Sequence, residues 1–445
     1  MNSDTAPTPS VLTIKQVVIS LLLLALIGLG AGAWQRHQSR HATDPIPVGI
    51  LHSLTGTMAI SERGVVAATR LAIDEINAAG GLLGRPLQTI VRNGASDWAI
   101  FAREAESLIR DEQVAVVFGC WTSASRKTVK PVFEQYDHLL FYPVQYEGLE
   151  SSPTIVYTGA APNQQIIPAV KWALDHLGRR VFLVGSDYVF PHAANAIMRD
   201  QIRSLRGSVV GEHYVLLGSS TVEPVIEAIV ASRPDVILNT LNGDSNAAFF
   251  KALRARGLTP EQIPTISFSI AEAELTSMGS ADFAGDYAAW NYFQSLPGTA
   301  NRRFVAAYQA KYGADQVVTD PMEAAYLGVY LWAEAVKRSG RTDPRSVRRA
   351  LPGLSIAAPG GAVSVDGRSQ HLWKSVRIGR IRADGQFAIV WDSAKPVRPL
   401  PYPGYRSPTD WDGFLTELNH RWRGNWANPS TEPTPPGQPF TGTLP

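Results

Sequence analysis

Short apolar runs alternate with amphipathic stretches from residue 46 to about residue 270. In the amphipathic stretches apolar residues recur every three or four positions, which is typical of helices with one buried face. Unbroken apolar runs separated by such helices indicate parallel strands that are covered on both faces. The runs lie at 48–52, 87–92, 114–118, 139–144, 180–185, 209–217, 236–241 and 265–270. A break near Pro162 divides them into two series, which predicts two doubly wound α/β lobes in tandem.

The helices that this spacing predicts connect the runs and then continue beyond them. They lie at 98–110, 125–136, 166–176, 193–205, 222–231, 247–256, 303–312 and 322–336. A hairpin is predicted where 374–382 and 386–391 flank the turn residues Ala383, Asp384 and Gly385.

The composition changes after residue 396. One face of a short predicted helix carries Trp411, Phe414, Leu415 and Leu418, and the chain from 429 onward is rich in proline and threonine. An amphipathic stripe usually faces its own core, so we expect this helix to pack on its own domain. Docking on a partner is the alternative.

The N-terminal segment 17–34 is apolar and uncharged. It follows a lysine, and Ala31 and Ala33 supply the small-x-small pattern of a signal peptidase site. The run is also close to the roughly 18 residues that begin to span a bilayer, and Arg36 and Arg40 follow it. A cleaved signal peptide and a retained transmembrane helix therefore both remain open. Either one predicts a periplasmic or extracytoplasmic protein, anchored in the inner membrane in the second case.

Charge and cysteine content exclude several classes of function. The chain has 41 basic and 39 acidic residues, so no strong field points to nucleic acid. Cys120 is the only cysteine, which excludes an internal disulfide and a zinc site built on paired thiolates. The nine histidines are scattered. We predict no metal and no cofactor.

Polar and aromatic residues follow the predicted strands, where open α/β sheets bind their ligands. These loops contain Trp121, Thr122, Ser123, Tyr142, Tyr188, Asn242 and Asp244. Helix starts offer free backbone N–H groups to a carbonyl oxygen, and aromatic faces enclose a flat solute. The pattern favours a small, neutral, planar ligand. The alternative is that Ser123 and Asp244 only cap helices and the aromatic residues only fill the wall between the lobes.

An enzyme is the competing class. Residues 243–247 approximate a nucleophile elbow around Ser245, with His371 and His420 downstream as candidate bases. Catalysis requires a nucleophile, a base and an orienting group to converge, and no histidine lies in a loop suited to activate Ser245. The sequence therefore predicts a protein that is not an enzyme.

Eight segments at these loops resemble the substrate-binding protein of urea ABC transporters. They are ILHSLTGTMAISE (50–62), INAAGGLLGRPL (76–87), VVFGCWTSASRK (116–127), LLFYPVQYEGLESSP (139–153), YTGAAPNQQ (157–165), LVGSDYVFP (183–191), LNTLNGDSN (238–246) and AAWNYFQS (288–295). The group is similar to the amide-binding regulator of aliphatic amidase operons and, more distantly, to branched-chain amino acid binding proteins. The resemblance extends over about 46–403.

The resemblance implies a periplasmic binding protein-like type I fold in which two lobes clamp a ligand in the cleft between them. By analogy, lobe one contains 46–158 and 293–353, and lobe two contains 159–292 and 354–403. Residues 1–45 form the export signal or anchor with its tether, and 404–445 form the C-terminal helix and tail. The ligand-contacting positions carried over are Trp121, Thr122, Ser123, Tyr142, Val144, Tyr188, Asn242 and Asp244.

Two positions indicate the ligand class. Amide-binding relatives carry Tyr where Trp121 stands and Thr where Val144 stands, so this chain follows the urea-type pattern. The resemblance implies capture of urea or a short-chain amide and its delivery to ABC permease subunits. A membrane-tethered amide or urea sensor for a signalling partner is the alternative.

Overall fold

The computed structural model describes residues 44–430. The apolar segment 17–34 and the end of the tail lie outside the described residues, so the prediction of a signal or anchor is not addressed by the structure. Within 44–430, no helix is long and apolar enough to cross a membrane.

The first lobe is built on a five-stranded parallel sheet with the order β2-β1-β3-β4-β5. Its strands are β1 (Ile46–His52), β2 (Leu87–Asn93), β3 (Val117–Gly119), β4 (Leu140–Tyr142) and β5 (Ile155–Tyr157). Its helices alternate with them and are α1 (Ala59–Ala78), α2 (Trp98–Arg110) and α3 (Ser123–Gln135). Buried residues such as Val48, Ile50 and Phe118 form the core under these helices.

The second lobe contains a seven-stranded sheet with the order β15-β14-β10-β9-β8-β6-β7. Its strands are β6 (Arg180–Ser186), β7 (Ser208–Val215), β8 (Val236–Thr240), β9 (Thr265–Ser267), β10 (Tyr287–Trp290), β14 (Arg377–Ile381) and β15 (Phe387–Asp392). Its helices are α4 (Ile166–His176), α5 (Val189–Ser204), α6 (Glu223–Ser232), α7 (Ser245–Ala255) and α8 (Glu272–Met278). The strands β6 to β10 are parallel, and β14 and β15 form the predicted hairpin at one edge.

The chain returns to the first lobe after β10. The returning elements are α9 (Thr299–Tyr312), α10 (Asp320–Ser339), α11 (Pro344–Ala350), β11 (Ser355–Ala358), β12 (Gly361–Val365) and β13 (Leu372–Trp373). Val363, Val365 and Leu372 pack in one core with Trp332 of α10 and with Val48 of β1. This packing places 355–373 with lobe one, whereas the sequence-based division assigned residues from 354 onward to lobe two. Apolar side chains join the nearest uncovered core, and sequence order does not specify which core that is.

The two lobes contact each other directly. Ser61 of α1 donates a hydrogen bond of 2.6 Å to Glu274 of α8, although 213 positions separate them in sequence. Ala124 of α3 packs in the same apolar cluster as Tyr188 and Val189 of the second lobe. The structure is therefore a closed arrangement in which the carboxyl ends of both sheets face a common cleft.

The C-terminal helix α12 (Pro408–Arg421) packs on the second lobe. Ser407 caps its start by accepting a hydrogen bond of 3.1 Å from the backbone N–H of Asp410. The buried stripe of α12 joins the core around α5, and it consists of Trp411, Phe414, Leu415 and Leu418.

Candidate ligand-binding site

The first wall of the cleft is made where β3 ends and α3 begins. Cys120 has a left-handed backbone (φ 65°), which turns the chain sharply out of the sheet. Thr122 then caps α3, because its hydroxyl accepts a hydrogen bond of 3.0 Å from the N–H of Ser125. The start of α3, with its free N–H groups, is thereby fixed at the cleft.

Three aromatic residues at or just beyond the ends of three different strands are buried. Trp121 is 4 % exposed, Tyr188 is 1 % exposed and Tyr142 is fully buried. The Tyr142 hydroxyl donates a hydrogen bond of 2.5 Å to the carbonyl oxygen of Trp121. Burial, together with the charges of Tyr142 and Glu147, raises the pKa of Tyr188 well above its ordinary value. The Trp121 Nε1 is buried and has no hydrogen-bond partner within the described residues.

A buried network of four charges lies behind the aromatic wall. Arg126 contacts Glu147 and Glu150 at 3.0 Å each, and Lys127 contacts Glu150 at 3.0 Å. Burial alone raises the pKa of Glu150, but the charges of Arg126 and Lys127 overcome this effect and hold it well below its ordinary value. Two cations thus balance two carboxylates, and the network has no net charge.

Ser123 connects this network to the cleft. Its hydroxyl donates to a carboxylate oxygen of Glu147 and accepts a hydrogen bond of 3.0 Å from Nη1 of Arg126. The guanidinium of Arg126 also stacks on the rings of Tyr142, at 4.9 Å, and Tyr146, at 4.4 Å. The network therefore fixes the positions of both Ser123 and Tyr142.

The remaining predicted residues differ in their surroundings. Val144 is 2 % exposed and lies in one apolar cluster with Trp121. Asn242 is buried on the second lobe, where its backbone N–H donates a hydrogen bond of 2.9 Å to the Ser186 hydroxyl. Asp244 is exposed at the start of α7, and its side chain makes no capping hydrogen bond. The structure thus brings Trp121 and Tyr142 together, packs Tyr188 in one cluster with Ala124 of α3, and leaves Asp244 exposed.

Several buried polar atoms lie near the strand ends; of these, only Ser245 was considered from the sequence, and then as a nucleophile. Those with no hydrogen-bond partner within the described residues include His52 Nε2, Thr57 Oγ1, Glu62 Oε1, Gln145 Oε1, Ser245 Oγ and Ser269 Oγ. Sequence reasoning missed the pairing of the adjacent Arg126 and Lys127 with Glu147 and Glu150. The signal was present in the sequence, as two cations in the first turn of a helix and two carboxylates in the loop after the next strand.

The residues considered for catalysis, Ser245, His371 and His420, are not arranged as a nucleophile and its base. The Ser245 hydroxyl bonds to neither candidate base. The His371 Nε2 lies 2.5 Å from the Tyr146 hydroxyl, and burial lowers the pKa of His371 to about 4. His420 is exposed on α12. Within residues 44–430, no group of three or more potential ligands is arranged to hold a metal ion.

Two α/β lobes that close on a cleft lined by aromatic rings and hydrogen-bonding groups define the class of two-lobed solute-binding proteins. Comparison with known protein families identifies the family, because the periplasmic binding protein domain matches residues 46–408. The chain belongs to this family. Its members are non-enzymatic periplasmic binding proteins, so this chain is a binding protein for a small-molecule ligand and not an enzyme.

Individual relatives are distant over the full length. The "Leu/Ile/Val-binding protein homolog 6" of Brucella melitensis is 23% identical over 371 residues, covering 82% of this chain and 92% of that protein. A solute-binding protein of Rhodopseudomonas palustris HaA2, solved with p-hydroxybenzoic acid, aligns with a TM-score of 0.73 at 23% identity, covering 79% of this chain and 98% of its own. "Limonene hydroxylase" of Geobacillus stearothermophilus is 36% identical over only 124 residues, and the match spans 28% of this chain and 23% of that protein.

Proposed function

We propose that this protein captures urea or a short-chain amide in the cleft and delivers it to an ABC permease. The observation that carries the proposal is the internal charge balance of Arg126, Lys127, Glu147 and Glu150 beside a closed aromatic wall. A neutral planar solute adds no charge to such a site.

The ligands of the relatives make the contrast clear. An aromatic acid brings a carboxylate, and an amino acid brings a carboxylate and an ammonium. Each buried charge needs its own partner, and an unpaired one costs several kcal/mol. Arg126 and Lys127 are already paired, so neither is free to neutralise a bound acid.

The polar atoms around the wall support a ligand that both donates and accepts hydrogen bonds. Trp121 Nε1 and the backbone N–H groups at the start of α3 can donate to a carbonyl oxygen. Gln145 Oε1 and Ser245 Oγ can accept from amide N–H groups. Urea and acetamide carry both kinds of group.

The test is calorimetric titration of the full chain with acetamide and acetate, which have nearly the same shape and differ in charge. Urea and leucine complete the series. We expect urea or acetamide to bind at least about a hundredfold more tightly than acetate or leucine, a gap of roughly 2.7 kcal/mol. If leucine displaces urea at comparable concentration, the protein belongs with the amino acid binders and the proposal fails.

The rival proposal is a membrane-tethered sensor that reports the same ligand to a signalling partner. Its support is the apolar segment 17–34 with the two arginines that follow it. The two roles separate when the protein is added to permease and ATPase subunits in liposomes. Ligand-dependent ATP hydrolysis supports transport, and its absence with a bound ligand supports sensing.

A further inference from the structure

The C-terminal extension continues beyond the end of the family match at residue 408 and contacts the candidate site. Its helix α12 is fixed in the core of lobe two, where Trp411 and Leu418 are fully buried. The next turn ends with Trp422, which is also buried and meets the His192 ring edge-on at a centroid distance of 5.0 Å. The extension is therefore held on lobe two as it reaches residue 424.

Residues 424–428 then run beside the segment that carries Tyr188. The backbone N–H of Val189 donates a hydrogen bond of 2.9 Å to the carbonyl oxygen of Trp426. Tyr188 and Ala427 form an antiparallel bridge. The C-terminal segment thus pairs, like a short added strand, with the loop that carries Tyr188.

Asn428 adds a side-chain contact to the same loop. Its backbone N–H donates to the carbonyl oxygen of Asp187 at 3.0 Å, and its Nδ2 donates to Oδ2 of Asp187 at 2.8 Å. The other carboxylate oxygen of Asp187 contacts Nε2 of His192 at 2.7 Å. Asp187 is therefore held by α5 on one side and by the extension on the other.

The Trp426 ring also reaches the first lobe. Nζ of Lys127, on α3, lies 4.9 Å from the ring centroid, which is cation–π distance. Lys127 is 7 % exposed and is fixed by its contact with Glu150. One short segment therefore bonds to the Tyr188 loop of lobe two and contacts the charge network of lobe one.

We propose that residues 424–428 form a clasp that joins the two lobes beside the cleft and favours the closed state before any ligand binds. When the lobes open, Lys127 moves with lobe one and Trp426 stays with lobe two, so their contact exists only in the closed state. A contact made in one state alone shifts the equilibrium toward that state. The inference needs only the two-lobed fold and holds whichever solute the cleft binds.

The test measures the separation of the lobes in the ligand-free full chain. Spin labels are attached through Arg103→Cys on α2 and Lys251→Cys on α7, two exposed positions on different lobes. Cys120 is fully buried, and burial raises the pKa of its thiol, so it does not compete for the label.

The test variant is Trp426→Leu, which removes the ring and keeps the backbone hydrogen bonds of the clasp. Its matched control is Glu417→Gln, on the exposed face of α12. We expect Trp426→Leu to raise the ratio of open to closed molecules about fivefold, as loss of one cation–π contact implies, while the control matches the unaltered chain. Equal distance distributions in Trp426→Leu and Glu417→Gln overturn the clasp. Circular dichroism checks folding, and Asn428→Ala replaces the test variant, with the same two outcomes, if Trp426→Leu does not fold.

Discussion

Replacing Trp121 tests the proposed binding site most directly. The indole is 96 % removed from solvent with the lobes closed, and its Nε1 has no partner within the described residues, so its N–H can donate to a ligand. On the proposal that the lobes close over the ligand, a solute of urea's size removes from water roughly 50 Å² of ring face that the open state exposes, which at about 25 cal/mol per Å² is worth about 1.3 kcal/mol. A hydrogen bond from Nε1 adds about 1 kcal/mol.

The sum predicts that Trp121→Ala weakens urea binding by about 2.3 kcal/mol, or roughly fiftyfold in Kd. Trp121→Phe keeps an aromatic face and loses the donor, so we expect a loss of about fivefold. Isothermal titration calorimetry measures both variants.

The matched control for this experiment is Trp391→Ala. Trp391 lies half-buried on β15, the edge strand of the second sheet, and its removal also costs an indole. Unchanged urea affinity in a folded Trp121→Ala protein, with the same melting behaviour as the control, would refute the proposed site.

Three further predictions concern charge and chemistry. Glu147→Gln leaves Arg126 with one carboxylate partner fewer, so we expect the free energy of unfolding to fall by about 3 kcal/mol. Guanidinium denaturation without urea measures this change, and an unchanged midpoint would contradict the buried network. Burial raises the pKa of Glu272 to about 8 and of Glu274 to about 7, above the ordinary 4.5, so the folded state binds protons more tightly than the unfolded state. Stability should therefore fall as the pH rises from about 5 to 8, and Glu272→Gln should flatten this decline in the melting temperature; equal slopes would argue against it. The purified protein should release no ammonia from urea, and a release that Ser245→Ala abolishes would mean that the chain is an enzyme.

The sequence predicted the regular parts of the fold well because local periodicity determines them. The helix predicted at 166–176 coincides with α4, and the hairpin predicted around 383–385 is β14 and β15. The short strands β11 to β13 were not predicted, since β13 has only two residues and no periodicity can be read from two positions. These strands belong to lobe one because they pack in one core with Trp332, and such contacts between residues far apart in sequence leave no local pattern.

At the candidate site, the sequence predicted which loops border the cleft, but it did not predict which side chains form ion pairs and hydrogen bonds there. Strand ends are recognisable from sequence, which is how Trp121, Tyr142 and Tyr188 were selected. The pairing of Arg126 with Glu147 needs the turn geometry between β4 and β5, where residues 143–154 fold back over α3. The position of Asp244 shows the converse, because its loop borders the cleft while its own side chain points to solvent.

The hydrogen-bonding capacity of Ser123 sharpens the proposed selectivity. A serine hydroxyl has one donor and two acceptor positions. Its donor is used on Glu147 and one acceptor position is used by Arg126, so the side chain can offer a ligand only one lone pair. Gln145 Oε1 is likewise an acceptor. Acetate has no N–H to give to these atoms and would face them with like partial charge, whereas urea has four N–H donors and a single carbonyl oxygen.

Discrimination against acids therefore follows from two independent features, the balanced charges behind the wall and the acceptors in front of it. Glu147→Gln frees the Ser123 hydroxyl from a carboxylate and leaves the network with a positive excess. We expect both changes to narrow the difference in affinity between acetamide and acetate. If this difference stays the same in the folded variant, the network does not set selectivity.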